Sequence, residues 1–160
     1  MDRKKLIKHI IGELTAIHQT AIAAAKRAHK TATDKANIAE NKYDTFGLEA
    51  SYLAQGQARR VSQCEANIKA FHELLSNNNS NCSVIKMGSL VTLEDESAAK
   101  QTLFLGPAAG GLKINYCDKE VLLITSTSPL GHALMGLKKD DEFELVVGDR
   151  LMQYLIINVH

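Results

Sequence analysis

Val121-Leu-Leu-Ile-Thr-Ser-Thr-Ser-Pro-Leu-Gly-His-Ala-Leu-Met-Gly-Leu-Lys-Lys-Asp-Asp-Glu142 changes its conformational preference twice within one short stretch. The apolar run with Val, Ile and Thr reads as a strand over Glu120–Ser126. Ser128 then stands as a helix cap with Pro129 at the first helical position, so a short helix is expected over Pro129–Leu137. Gly136 marks its end, and a charged turn leads into a second strand at Glu142–Val147. Outward from this core the same alternation recurs at Ser83–Ile85, Ser89–Glu94, Gln101–Leu105 and Met152–Val159. A small, mainly antiparallel sheet with one helix against a face accounts for residues 83–160.

Upstream of the polar run Ser76-Asn-Asn-Asn-Ser-Asn81 the pattern is different. Residues 1–76 hold 14 of the 19 alanines and neither proline. They carry 12 basic against 8 acidic side chains, whereas the remainder carries 7 against 10, so +4 and −3 combine to the overall +1. Ile7, Ile10, Leu14, Ile17, Ala21, Ala24 and Ala28 alternate in steps of three and four. So do Tyr43, Gly47, Ala50, Ala54, Gln57, Val61, Cys64, Ile68, Phe71 and Leu75. Such spacing is the seam of a coiled coil. Cap and turn formers between the two runs place the tip of an antiparallel hairpin near residues 32–42, with 77–82 as linker. Helices of roughly 30 residues would project about 45 Å. The seam grades from large residues at the base to Ala and Gly near the tip, which makes the distal half thin and weakly held. This reads equally as a probe or as an alanine-rich dimerisation coil. The fold class is therefore α+β: a helical hairpin followed by a small sheet domain.

Several function classes are excluded or left without support. No apolar stretch approaches the ~20 residues of a membrane-spanning helix, and no secretory leader is expected. Three cysteines at wide spacing, Cys64, Cys82 and Cys117, suit a reducing cytoplasm rather than a disulfide framework. Gly106-Pro-Ala-Ala-Gly-Gly111-Leu-Lys113 lacks the Lys and Ser/Thr placement of a phosphate-binding loop and reads as a hairpin loop. His9, His18, His29 and His72 have no facial partner at metal-ligand spacing and read as helix-surface residues. Cys64, on the seam, reads as a small core residue. No nucleophile triad or metal motif stands out, so the chain is not expected to carry an active site of its own. Asp140, Asp141, Glu142 and Glu144 read as a solvated turn and strand edge.

Residues 121–142 resemble the C-terminal signature of the bacterial transcription elongation factors GreA and GreB, in which a strand runs into Ser-Pro-(Ile/Leu), a short helix and a further strand. Gly88-Ser-Leu-Val-Thr-Leu93 resembles the opening strand of the same domain. Asn37-Ile-Ala-Glu-Asn41 resembles the family's acidic tip motif Asp-Leu-x-Glu-Asn, and Ala58–Ile68 resembles the helix that returns from it. The resemblance implies a coiled-coil hairpin plus an FKBP-like domain without isomerase activity. It also implies a partner, RNA polymerase: the FKBP-like domain docks at the rim of the secondary channel while the hairpin tip reaches the active site. There the tip helps hold a Mg²⁺ ion shared with the polymerase, which then cuts backtracked RNA; no cofactor is implied for the chain alone. Ser128, Pro129, Leu130 and Gly131 would form the docking loop, and Glu40 would be the tip carboxylate and shared-metal ligand.

The tip departs from the family pattern. Asn37 replaces the first acidic residue, and an amide is a weaker Mg²⁺ ligand than a carboxylate. The run Lys42–Tyr52 lengthens the turn. Asp34, Asn41 and Asp44 stand near enough in sequence to contribute. Lys26, Arg27, Lys30, Arg59 and Arg60 read either as a face toward nascent RNA and DNA or as an ordinary solvated surface. A secondary-channel regulator without cleavage activity is the alternative function, and a structural coiled-coil adaptor a further one. The expected state is a cytoplasmic monomer with no membrane contact.

Overall fold

In a computed structural model, residues 2–34, 45–77 and 84–160 are described. Helix α1 runs over Arg3–Thr33 and α2 over Phe46–Ser76. Strands β1 (Leu90–Asp95), β2 (Lys100–Gly106), β3 (Lys113–Tyr116) and β4 (Lys119–Thr125) follow. Helix α3 (Pro129–Leu134) and strands β5 (Glu142–Val147) and β6 (Arg150–Val159) complete the order. The chain divides into two units. One comprises Met1–Ile11 with Ala70–His160, the other Gly12–Lys69.

Within Gly12–Lys69 the two helices form an antiparallel pair along the alternating seam. Leu14, Ala21 and Ala28 of α1 and Ala50 and Cys64 of α2 are buried. Ile17, Ala24, Gly47, Ala54, Gln57, Val61 and Ile68 are half-buried, so no described seam position in this unit faces open solvent. Three-four spacing keeps these residues on one stripe, and the small side chains allow close approach of the backbones.

In the other unit the strands form one sheet in the order β3-β4-β2-β1-β6-β5. The β1–β2, β1–β6, β3–β4 and β5–β6 ladders are antiparallel, while β2 and β4 run parallel. That pairing corrects the reading of Gly106–Lys113 as a hairpin loop. The segment carries the chain past β4 to the sheet edge, because parallel neighbours require a crossover rather than a tight turn. The edge strand β3 was not anticipated at all, being four residues long with Ile114 as its one buried side chain. At the other end of the domain, Val84 makes only an isolated bridge to Lys138.

Both faces of the sheet are used. On one, Val91, Leu93, Leu103, Leu105, Ile124 and Ile156 pack with Ile85 and with Leu134 of α3. Register puts Leu90, Phe104 and Leu123 on the opposite face. There Phe71 of α2 stacks on Phe104 with ring centroids 6.3 Å apart. Leu6 and Leu74, outside the three-four seam, are also buried in this unit, along with Ile7 and Ile10. The ends of both helices are thus part of the sheet unit's core, which widens the apolar stripe beyond a two-helix seam. Arg3 donates from Nε to the Gly88 carbonyl at 2.9 Å, where Gly88 adopts φ +86°. A side chain at Gly88 would meet the Arg3 guanidinium as well as an unfavourable φ.

The β1–β2 turn is held by one carboxylate. Asp95 Oδ1 accepts from the Ser97 hydroxyl at 2.6 Å, from Ser97 N at 2.9 Å and from Ala99 N at 3.0 Å. These bonds, that from the Ser97 side chain foremost, hold its pKa below the ordinary 3.8. A depressed folded-state pKa stabilises above the unfolded value and is lost as pH falls through the folded one. Asp95→Asn should therefore lower the melting temperature at neutral pH. The gap to wild type should close as melts are taken below pH about 3.8.

Candidate functional site

The turn from β4 into α3 is built on backbone and hydroxyl groups. Thr125 ends β4, and its carbonyl accepts from Ser128 N at 3.0 Å and from Ser128 Oγ at 2.7 Å. Ser128 Oγ in turn accepts from Gly131 N at 3.1 Å, capping α3, and the Ser128 carbonyl accepts from His132 N at 2.8 Å. Ser128 is extended at φ −75°, ψ 150°, as a cap residue must be before the chain coils. Gly131 is buried, and a Cβ there would collide with the Thr125 carbonyl oxygen. Leu130 leans on the core beneath α3.

The four sequence-selected residues therefore divide into two kinds. Ser128, Leu130 and Gly131 set the shape of the turn, and Pro129 is the one left exposed. Thr127, His132 and Met135 share its exposure and were not singled out by sequence. Met135 is a large apolar side chain in solvent. The helix stops at Leu134 rather than Leu137, because Met135 turns extended at ψ 125° and Gly136 takes φ +86°. Gly136 N then donates to the Ile85 carbonyl at 3.0 Å, fixing the far end of α3 to the preceding segment.

Of the tip residues, Asp34 is described and exposed, whereas Asn37, Glu40, Asn41 and Asp44 lie outside the described residues. Thr31 and Thr33 bond back to the carbonyls of Arg27 and His29 at 3.2 and 2.9 Å. Thr45 opens α2, with its carbonyl accepting from Glu49 N at 2.9 Å and its hydroxyl donating to Glu49 Oε1 at 3.0 Å. Phe46, Leu48, Tyr52 and Leu53, in the first two turns of α2, are all exposed. Sequence reading missed them as a group, since Phe46 and Leu53 share a helix face and Leu48 and Tyr52 share another.

Lys26, Arg27, Lys30, Arg59 and Arg60 are exposed. Lys26 and Lys30 stand one turn apart on α1, where like charges repel unless an anion or solvent lies between them. Two histidines are not simple surface residues. His9 Nε2 lies 3.0 Å from the Asn115 carbonyl, and its ring rests against Tyr116 at 5.4 Å. His18 is largely buried, with Nε2 3.4 Å from Glu65 Oε1 of α2, within ion-pair range but outside hydrogen-bonding geometry. Among the described residues no three His, Cys, Asp or Glu side chains gather as a metal site. No described helix is long and apolar enough to cross a membrane.

The chain is similar to several solved structures. GreA factor homolog 1 (Gfh1) of Thermus thermophilus is 22% identical, covering 98% of this chain and 94% of that one, with a TM-score of 0.39. Gfh1 of Thermus aquaticus is 19% identical over 93% of this chain and 92% of its own, with a TM-score of 0.40. A prokaryotic transcription elongation factor GreA/GreB from Nitrosomonas europaea is 22% identical over 70% of this chain and 93% of its own, with a TM-score of 0.39. No curated protein sequence gives a match. The family described as "Transcription elongation factor, GreA/GreB, C-term" matches residues 79–160, a span that holds every strand, α3 and the capped turn at Ser128. By that match, over more than half its length, the chain belongs to the GreA/GreB family of transcription elongation factors.

Proposed function

We propose that this chain binds RNA polymerase, inserts its helical hairpin into the secondary channel and promotes cleavage of backtracked RNA by the polymerase. The observation that carries this reading is the family match over 79–160, which includes the Ser128–Gly131 turn. The turn is built to hold Pro129 outward while its neighbours are anchored from below. Docking then falls to Pro129 with Thr127, His132 and Met135 around it. The chain itself is not the nuclease in this reading, and it acts as a cytoplasmic monomer.

In the hairpin, two 31-residue helices with an alanine-lined seam support a slender insert. Glu40 is the carboxylate assigned to the shared metal, with Asp34 and Asp44 as neighbouring hard-oxygen donors and Asn37 and Asn41 as amide donors. Such donors suit Mg²⁺, which keeps several waters and needs one or two carboxylates from any one chain. When shared with the polymerase, the ion supplies Lewis acidity and a more acidic bound water. Lys26, Arg27, Lys30, Arg59 and Arg60 would face the phosphates of RNA or DNA along the way, a salt-sensitive contribution.

A second reading is a channel-binding regulator that promotes no cleavage. Asn37 favours it, because the family's first tip carboxylate is replaced by a neutral amide. The exposed Phe46, Leu48, Tyr52 and Leu53 favour it too, since apolar side chains offer contact rather than metal ligation.

Both readings require docking, and Pro129→Glu tests it. Glutamate is tolerated in the first turn of a helix by the macrodipole, so α3 should persist and the melting temperature should stay within a degree or two. Binding of the labelled chain to purified core polymerase should weaken by about tenfold or more, equivalent to about 1.4 kcal/mol. Unchanged affinity would remove the Ser128–Gly131 turn from the interface.

A further inference from the structure

We propose that β5 is a docking edge for an extended, basic segment of another protein, whose order from its N-terminus is apolar–x–basic–x–basic. The proposal is independent of the polymerase reading and rests on the place of β5 at the edge of the sheet among the described residues. The two edge strands are unequal: β3 has four residues, with Lys113 held by Glu120 at 2.9 Å, whereas β5 has six. It contains no Pro, no Lys and no bulge, and the charges of Glu142 and Glu144 are the one edge-blunting device it carries.

The direction of its free groups follows from the hairpin. Val147 and Arg150 close a two-residue turn in which Gly148 takes φ +64°. The closing pair of such a turn is hydrogen-bonded, and bonded and non-bonded pairs then alternate. Phe143, Leu145 and Val147 therefore bond toward β6, and the N–H and C=O groups of Glu142, Glu144 and Val146 point outward. An independent bond agrees. Gln153, opposite Glu144, turns its N–H away from β5 and donates to Glu96 Oε1 at 3.0 Å.

The same three outward residues also share one face of the sheet. Val146 is 65% exposed, and its cross-strand neighbour Leu151 is 57% exposed. Beside them lies a cavity of about 380 Å³ whose lining includes five carboxylates and no Lys or Arg. Glu94 there is paired with Lys100 at 3.5 Å, and Asp95 is committed to its turn. Glu142 makes no hydrogen bond or ion pair among the described residues, and Glu144 receives one bond, from Gln153 Nε2 at 3.0 Å.

Charge decides the occupant. A second copy adding its own β5 would bring two more carboxylates onto the same face with nothing to neutralise them. A basic segment neutralises Glu142 and Glu144 while its main chain completes the ladder. Antiparallel addition is the more stable geometry. It sets the segment's first residue against Val146 and Leu151, its third against Glu144 and its fifth against Glu142.

The test uses the full chain and a capped peptide, Ser-Leu-Thr-Arg-Thr-Arg-Ser, with its reverse-order isomer as a second probe. Anisotropy titration should show the first peptide binding more tightly than the second, with new hydrogen-exchange protection at the amides of Glu142, Glu144 and Val146. Glu144→Lys should cost about tenfold in affinity. Val146→Pro removes an outward N–H without touching the β6 ladder and should abolish the new protection while leaving β6 amides as protected as in wild type. Absence of binding, equal binding of both peptides, or an affinity unmoved by Glu144→Lys would overturn the proposal. A concentration-dependent dimer that Val146→Pro dissolves would overturn it in favour of a second copy.

Discussion

Phe71→Ala is expected to destabilise the sheet unit by about 3–5 kcal/mol, a large share of the 5–15 kcal/mol typical of a domain. Phe71 is fully buried and stacks on Phe104 with the ring planes 26° apart. Its Cζ also sits so near Gly106 that a Cβ there would approach to 2.9 Å. The ring therefore fills the space between the end of α2 and the middle of the sheet. Residual stability should fall far enough that the urea midpoint drops sharply with little change in slope. A loss below about 1 kcal/mol would mean that the site collapses around the missing ring, contrary to the packing described.

Gly131→Ala is expected to cost about 2–4 kcal/mol, combining overpacking with loss of the cap. The reason is contact, since a single methyl would meet the Thr125 carbonyl, which is backbone at the end of β4 and has no rotamer to escape into. Relief requires α3 to move away, and that movement breaks the Ser128 Oγ bond to Gly131 N. Ser128→Ala provides the scale, because it removes the cap alone and should cost about 1 kcal/mol. Thermal melts of both variants should separate by more than the cap's worth. If Gly131→Ala melts no lower than Ser128→Ala, the close approach is not structurally important.

These two sites show what the sequence made legible. Ser128-Pro129 announces a helix start wherever it occurs, and the cap geometry follows from local chemistry. The alternating seam from Ile7 to Leu75 was equally plain, because a three-four repeat sustained over many turns keeps one stripe against a partner helix. Gly131 was legible as part of a signature, but its packing reason was not, since the Thr125 carbonyl approaches it only in three dimensions. The parallel pairing of β2 with β4 was hidden for a similar reason. Gly106-Pro-Ala-Ala-Gly-Gly has the composition of a tight turn, and composition does not say which strands it joins. β3 was lost because four residues with one buried side chain carry too little alternation to register. Leu6 and Leu74 lay off the heptad and became core because the sheet supplies a second partner surface. The exposed Phe46, Leu48, Tyr52 and Leu53 all lie off the three-four seam, so their exposure follows from that spacing.

The role of the tip is tested most directly by the release of short 3′ RNA fragments from halted elongation complexes. With its own polymerase and Mg²⁺, the wild-type chain should release fragments well above the rate of polymerase alone. Glu40→Ala should lose this stimulation, by about a hundredfold if one carboxylate supplies about 2.7 kcal/mol of transition-state stabilisation, while binding polymerase as tightly as wild type. A wild-type chain that binds polymerase yet releases no fragments beyond the background would contradict cleavage stimulation and leave the non-cleaving channel regulator as the function.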